Sequence, residues 1–361
     1  MSESDKLGEI RERIDDIDSR IQDLLNQRAE AALEVARVKL AADPEAVFYR
    51  PEREAEVLRR VKERNSGPLD DDTVAWLFRE IMSSCLALER PLKVAYLGPE
   101  GTFTQTAALR HFGHAAEAEA MGNIPDVFQE VETGAADYGV IPVENSSEGV
   151  VNHTLDMFLT SSLQICGEVS LRIHHNLLGL STRLEDITRV FSHQQSLAQC
   201  RGWLDRHLPF VERIPVGSNA EAARLAAQTE HSAAIASQAA AELYGLTTLA
   251  MNIEDNADNT TRFLVIGRHA TQPSGDDKTS ILVSTRNESG SLYRLLQPLA
   301  DHGISMTRIE SRPSRRGKWD YVFFIDLLGH REDPKLSIAL NELRRIAGNY
   351  KELGSYPRAV L

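Results

Sequence analysis

Two cations stand where a buried helix face would carry apolar side chains. Leu7, Ile10, Ile14, Ile17, Ile21 and Leu24 recur at three- and four-residue steps, and the next step lands on Arg28. Lys39 follows eleven residues later, only about 20° further round the wheel. One long cation on such a stripe packs its stem and leaves its head in water. Two on one stripe fit an anion site better. Arg11 precedes Arg28 by seventeen residues, about 100° around, so the two do not converge on a small ligand within one straight helix. In an antiparallel dimer the neighbour's Arg11 would reach in.

A second set of polar residues follows short apolar runs: Pro142-Val143-Glu144-Asn145-Ser146-Ser147, Ser192-His193-Gln194-Gln195 and Asn259-Thr260-Thr261-Arg262-Phe263. Loops at strand ends are where α/β sheets bind ligands. One such cluster is ordinary turn and capping chemistry; three together imply a cleft. Tyr96-Leu97-Gly98-Pro99-Glu100-Gly101-Thr102-Phe103 reads as strand, glycine turn and helix start, which aims backbone N–H groups at an anion. It is not G-x-G-x-x-G, so a nicotinamide cofactor is disfavoured.

The elements that must position these groups fall into three blocks. Residues 1–92 read as helix only. The first helix runs unbroken toward Ala42-Asp43-Pro44, a second follows Pro51, and a third follows Asp70-Asp71-Asp72. A helix of about 50 Å overshoots a small domain and needs a partner along its length, so an intertwined dimer is expected. Over 93–270 β-rich runs alternate with Ala-rich helical stretches, an α/β domain. Thr271–Asp277 is a linker by composition, and 278–361 has the β-α-β-β-α-β order of a ferredoxin-like unit. The net charge of −13 argues against nucleic acid and means that an anion site must gather its own Arg and Lys. Cys85, Cys166 and Cys200 have no C-x-x-C spacing, so neither structural zinc nor a disulfide framework is expected. No apolar run reaches membrane-spanning length, and Met1–Asp5 lacks a signal peptide's character, so the expected setting is cytoplasmic.

Ile10-Arg11-Glu12-Arg13-Ile14-Asp15, Leu24-Leu25-Asn26-Gln27-Arg28, Val38-Lys39 and Arg53-Glu54 resemble the all-helical chorismate mutases. The resemblance implies Arg11 (from the partner subunit), Arg28, Lys39 and Arg53 as active-site cations, with Glu54 meeting the ring hydroxyl. That reaction is a pericyclic rearrangement without nucleophile or metal. It is helped by holding a dicarboxylate folded and by stabilising charge on the ether oxygen. Two departures stand out. Arg50 occupies a position where the family carries Asp, and Cys85 and Glu89 stand where it carries Ser and Gln. A glutamate donates to the ether oxygen only when protonated, so Glu89 is expected to have a raised pKa when substrate binds and the mutase to slow as pH rises toward and past neutrality.

The order G-P-E-G-T-F, V-E-N-S, S-H-Q-Q and T-R-F resembles prephenate dehydratase, whose fold is two-lobed and periplasmic-binding-protein-like. The resemblance implies Glu144, Asn145, Ser192, Gln199 and Thr261 as functional residues, with Arg262 and Phe263 completing the triplet. Thr261 is the implied proton donor and Arg262 a carboxylate anchor or a structural ion pair; His193 is read as a hydrogen-bonding or packing residue. In the last block Gly290-Ser291-Leu292-Tyr293, after Asn287-Glu288-Ser289, and Glu310-Ser311-Arg312-Pro313 resemble the phenylalanine-binding segments of regulatory ACT domains.

Together these resemblances imply a bifunctional enzyme that turns chorismate into prephenate and prephenate into phenylpyruvate. It would need no cofactor or metal, be inhibited by phenylalanine, and assemble as a homodimer or larger. Three rivals stand beside it: a non-catalytic small-molecule binder, a mutase joined to an NAD-dependent prephenate dehydrogenase, and a dehydratase whose helical domain serves only dimerisation.

Overall fold

The structure is a computed structural model that describes residues 3–43, 46–285, 288–313 and 321–361. Pro44 and Asn287, used above, lie outside the described residues, as do Met1 and Ser2. The N-terminal block is α1 (Glu3–Ala42), α2 (Pro51–Arg64) and α3 (Asp71–Glu89). Pro51 opens α2 at a position where its missing N–H costs nothing. The Asp70 side chain caps α3 by accepting from Thr73 N at 2.9 Å. The apolar stripe of α1 finds no cover among the described residues: Leu24 and Val38 are 62% and 66% exposed.

The middle block has two lobes. The first holds β1 (Lys93–Leu97), α4 (Phe103–Phe112), β2 (Glu117–Met121), α5 (Ile124–Thr133), β3 (Tyr138–Asn145), β4 (Gly149–Val150), α6 (Asn152–Phe158) and β5 (Gln164–Arg172). The chain then crosses to the second lobe: β6 (Asn176–Gly179), β7 (Arg189–His193), α7 (Gln194–Gln199), α8 (Arg201–His207), β8 (Glu212–Val216), α9 (Asn219–Ala226), β9 (Ser232–Ala236), α10 (Gln238–Tyr244) and β10 (Thr247–Ala250). It returns through β11 (Thr260–Gly267), which lies antiparallel between β3 and β5. The sheet orders are β2-β1-β3-β11-β5, with β4 on β3, and β10-β6-β9-β7-β8.

The last block is β12 (Asp277–Thr285), α11 (Ser291–Asp301), β13 (Met306–Pro313), β14 (Tyr321–Leu328), α12 (Pro334–Ile346) and β15 (Asn349–Pro357), in sheet order β13-β14-β12-β15. One helix-facing core of this unit gathers Ile281, Leu295, Leu299, Ile325, Leu336 and Leu343. The sheet's other face joins the first lobe in one continuous core, where Leu282, Phe324 and Leu353 pack with Phe128, Phe158 and Leu264. Strand β15 comes so close to β5 that an added Cβ on Gly354 would run into the Ile165 carbonyl, and its φ of 149° is glycine territory.

The segment expected to be a linker is pinned, not slack. Asp277 starts β12, and its carboxylate accepts from Ser274 N at 2.8 Å and Gly275 N at 3.1 Å. The Thr271 hydroxyl donates to the Ser355 carbonyl, and Arg59 of α2 donates to the Ser274 carbonyl. Gly and Asp at such positions build a turn as readily as a tether.

Candidate active sites and effector segment

Arg28, Lys39, Arg53, Glu54, Cys85 and Glu89 line one cavity of about 760 Å³ between the three N-terminal helices. Lys39 Nζ lies 3.4 Å from the carbonyls of both Val47 and Phe48 and 5.4 Å from the Phe48 ring centre. Burial raises the Glu89 carboxyl above its ordinary value, against the pull of Lys39 and Arg28. Arg53 is held by Glu56 at 2.6 Å, and Arg50 lies 3.6 Å from Glu52. Glu54 is pinned from behind: Arg79 Nε is 3.0 Å away, an ion pair without aligned hydrogen-bond geometry, and the Tyr49 hydroxyl is 3.4 Å away. Burial raises the Glu54 carboxyl despite both. Arg79 also donates to the Arg110 and His111 carbonyls at the end of α4, so the mutase-like cavity leans on the middle block. Pro273 and Ser274, from the pinned segment, form part of its wall. Arg11 lies about 25 Å down α1 from Arg28 and lines no part of this cavity within the chain.

A second cavity of about 720 Å³ separates the two lobes of the middle block. Thr261, Phe263, Asn145 and Phe103 line it from the first lobe and Gln199, His193, Asn219 and Arg224 from the second; His175, at the crossover between the lobes, lines it too. Asn145 Nδ2 donates to Thr261 Oγ1 at 2.8 Å and to Asn259 Oδ1 at 2.9 Å. Asn145 is itself oriented by Ser147 N and Glu148 N, which donate to its Oδ1 at 3.0 and 3.1 Å. The Thr261 oxygen therefore accepts, and its own proton is left for a ligand. Gln199 Oε1 accepts from Asn259 Nδ2 at 3.2 Å and lies 2.8 Å from His175 Nε2, while its NH₂ has no partner among the described residues. Burial lowers the His175 pKa, holding it neutral. His193 caps α7, its Nδ1 accepting from Gln195 N at 3.4 Å.

Three expected ligand contacts do not reach the cleft. Successive side chains of a strand point to opposite faces, so Thr261 and Phe263 face the cleft and Arg262 faces the last block. There it meets Glu168 at 2.8 Å, Asp326 at 2.5 Å and the Tyr356 hydroxyl at 2.9 Å. Burial disfavours its charge, yet Tyr356, Asp326 and Glu168 keep it protonated. Of the two readings the sequence left open for Arg262, the ion pair is the one present. Glu144 alternates with Asn145 in the same way and pairs with Arg308 of β13 at 3.1 Å. Ser192 is fully buried beneath the cleft, its hydroxyl within donating distance of Asn219 Oδ1 at 2.9 Å and of the Ile235 carbonyl at 3.0 Å. Its one hydroxyl proton is shared between these two acceptors, so it braces the lining residue Asn219 from beneath instead of lining the cleft itself. Asn219 and Arg224 went unnoticed in the sequence. The capping box Ser218-x-x-Glu221, just after β8, marks a fourth strand-end loop that would have exposed them.

In the last block Gly290, with φ 75°, precedes α11, and Ser291 lines a hollow of about 690 Å³ with Arg294 and Arg345. Leu292 sits on the first turn, partly exposed. Glu310, Ser311, Arg312 and Pro313 end the edge strand β13. Arg312 reaches Asp156 at 2.9 Å and also Asn152, both on α6 of the first lobe. The effector-like segment is thus built against the dehydratase-like lobe through Arg308 and Arg312. Cys85, Cys166 and Cys200 are free and buried, and no described helix is long and apolar enough to cross a membrane.

A helical unit, a two-lobed α/β unit with its cleft, and a ferredoxin-like unit define a three-part enzyme class. Family models agree: chorismate mutase type II matches residues 10–90, prephenate dehydratase 94–271 and the ACT domain 279–345. The bifunctional chorismate mutase/prephenate dehydratase of Stutzerimonas stutzeri is 60% identical over the whole of both chains. The chain belongs to the family of bifunctional chorismate mutase/prephenate dehydratases. Among solved structures, prephenate dehydratase from Arthrobacter aurescens, in complex with L-Phe, is 36% identical, with a TM-score of 0.69 over 74% of this chain and 90% of that one. GqqA, described as a quorum quenching acylase, is 31% identical, with a TM-score of 0.68 over 74% of this chain and 98% of that one. The same fold thus serves more than one chemistry, and the cleft must be argued from its residues.

Proposed function

We propose that each cavity carries one of two consecutive reactions. In the first, Arg28, Arg53 and Arg11 of the partner subunit grip the carboxylates of chorismate, bidentate guanidinium contacts fixing the folded conformer. Lys39 and protonated Glu89 donate to the ether oxygen as charge develops there, and Glu54 meets the ring hydroxyl. Cys85 shapes the wall. The bare stripe on α1 supports a homodimer in which a second α1 lies along it and brings Arg11 to the cavity.

In the second, the leaving hydroxyl of prephenate takes a proton as the ring carboxylate departs as CO₂ and the ring aromatises. The observation that carries this reading is the Asn145–Thr261 hydrogen bond. By donating to Oγ1, Asn145 both aims the Thr261 proton into the cleft and stabilises the oxygen left behind, supplying the assistance that a neutral hydroxyl needs. Gln199, from the second lobe, holds Asn259, the other acceptor of Asn145, and Phe263 and Phe103 supply apolar walls. Phenylalanine binding at Gly290–Leu292 and Glu310–Pro313 would feed back through Arg308 and Arg312, in a cytosolic enzyme.

The test supplies chorismate to the purified chain and follows its loss together with phenylpyruvate formation. Thr261→Ala should leave chorismate consumption intact and let prephenate accumulate. Phenylpyruvate production at the wild-type rate would remove Thr261 from the mechanism.

A further inference from the structure

We infer that Arg224 anchors the side-chain carboxylate of prephenate, the one that survives in the product. The inference rests on the dehydratase reading of the inter-lobe cleft. A dianion entering a chain of net charge −13 needs a local cation. Arg262 is committed to Glu168, Asp326 and Tyr356 on the far side of β11. Arg224 is the sole Arg or Lys among the described residues lining the cleft. No carboxylate among the described residues forms an ion pair with it. Glu221, one turn earlier, lines the same cleft, but its carboxylate turns back to accept from Gly217 N at 3.0 Å. A solvated rim cation would show the same exposure, but α9 is not a loose surface helix. Ala220, Ala222, Ala223 and Ala226 are fully buried, so the backbone carrying Arg224 is fixed against the second lobe. The first lobe carries Thr261, so a substrate held by both spans the cleft between them.

The chemistry selects which carboxylate Arg224 holds. Prephenate dianion takes up one proton and yields phenylpyruvate, water and CO₂. The C–O bond breaks with its electrons leaving in water, and the C–CO₂ bond breaks with its electron pair entering the ring. A guanidinium on the departing carboxylate would stabilise the ground state and hold back that pair. On the side-chain carboxylate it binds substrate, transition state and product alike. Its loss therefore appears in KM and in product affinity, and little in kcat.

The experiment uses full-length Arg224→Ala, Arg224→Gln and Arg224→Lys, with mutase turnover of each as the check on folding. It measures prephenate kinetics and the inhibition constant of added phenylpyruvate. Loss of a charge-assisted pair predicts KM raised roughly 10- to 100-fold in the Ala and Gln variants. The phenylpyruvate constant should rise in parallel and kcat stay within a few-fold. Lys should recover part of the loss, and free guanidinium should rescue the Ala variant. An unchanged KM in Ala and Gln would overturn the assignment. So would a raised KM with unchanged product affinity, which would place Arg224 on the departing carboxylate. A wild-type chain that leaves prephenate untouched would sink the dehydratase reading itself, a result distinct from either.

Discussion

Glu89 allows the mutase cavity to be tested by pH alone. Its carboxyl is half-buried and lifted above its ordinary value by burial, with Lys39 and Arg28 pulling the other way. A bound dianion adds negative charge nearby and lifts it further. Only the protonated acid donates to the ether oxygen. The sign follows: the donation is complete below the raised pKa and is lost as pH climbs through it. Removing one preorganised donor to a developing oxyanion costs about 2.7–4 kcal/mol. Glu89 is partly open to solvent and Lys39 remains as a second donor, so the low end applies, roughly a 100-fold fall before a floor is reached. The assay is the rate of chorismate loss from mildly acidic to basic pH, for wild type and Glu89→Gln. The amide donates at every pH, so that variant should show a flat profile that exceeds wild type on the basic side. A flat wild-type profile, or a Gln variant with the wild-type slope, would refute the reasoning.

Asp326→Asn leaves the buried Arg262 half-compensated and should destabilise the chain by about 3–5 kcal/mol, read as a lower urea midpoint. Burial pushes Asp326 up, but Arg262 and Ser280 hold it below its ordinary value. Its contribution to stability is therefore present above the unfolded carboxyl pKa and lost as pH falls through the folded one. Arg308→Gln or Glu144→Gln, which cut the 3.1 Å pair between the effector strand and the end of β3 that carries Asn145, should weaken phenylalanine inhibition several-fold while dehydratase turnover persists. Inhibition curves that superimpose on wild type would rule the pair out as a link. Ile14→Glu with Ile21→Glu removes about 1.5–3 kcal/mol of burial per residue from an α1–α1 interface. Light scattering should show smaller particles, with mutase activity lost and dehydratase retained.

Much of this protein was legible in local pattern. The 3.6-residue period of α1 placed Arg28 and Lys39 on one side, and they share a cavity because a helix converts spacing into direction with no help from the rest of the chain. The β-α-β-β-α-β order of the last block was readable for the same reason. The cleft was only half legible. The period of two in β11 already separates Thr261 and Phe263 from Arg262, and in β3 it separates Asn145 from Glu144, although motif matching runs the neighbours together. That Asn145 donates to Thr261 could not be read from the chain, because the two lie 116 residues apart and meet only when β11 inserts between β3 and β5. Strand order and register across such distances depend on which faces must be buried together. The same holds for Arg262, whose partners come from β5, β14 and β15, and for the pinned segment at Thr271–Asp277. Local spacing determined the elements and the chemistry they can carry. The packing of distant strands decided which of those groups face a ligand and which hold the domains together.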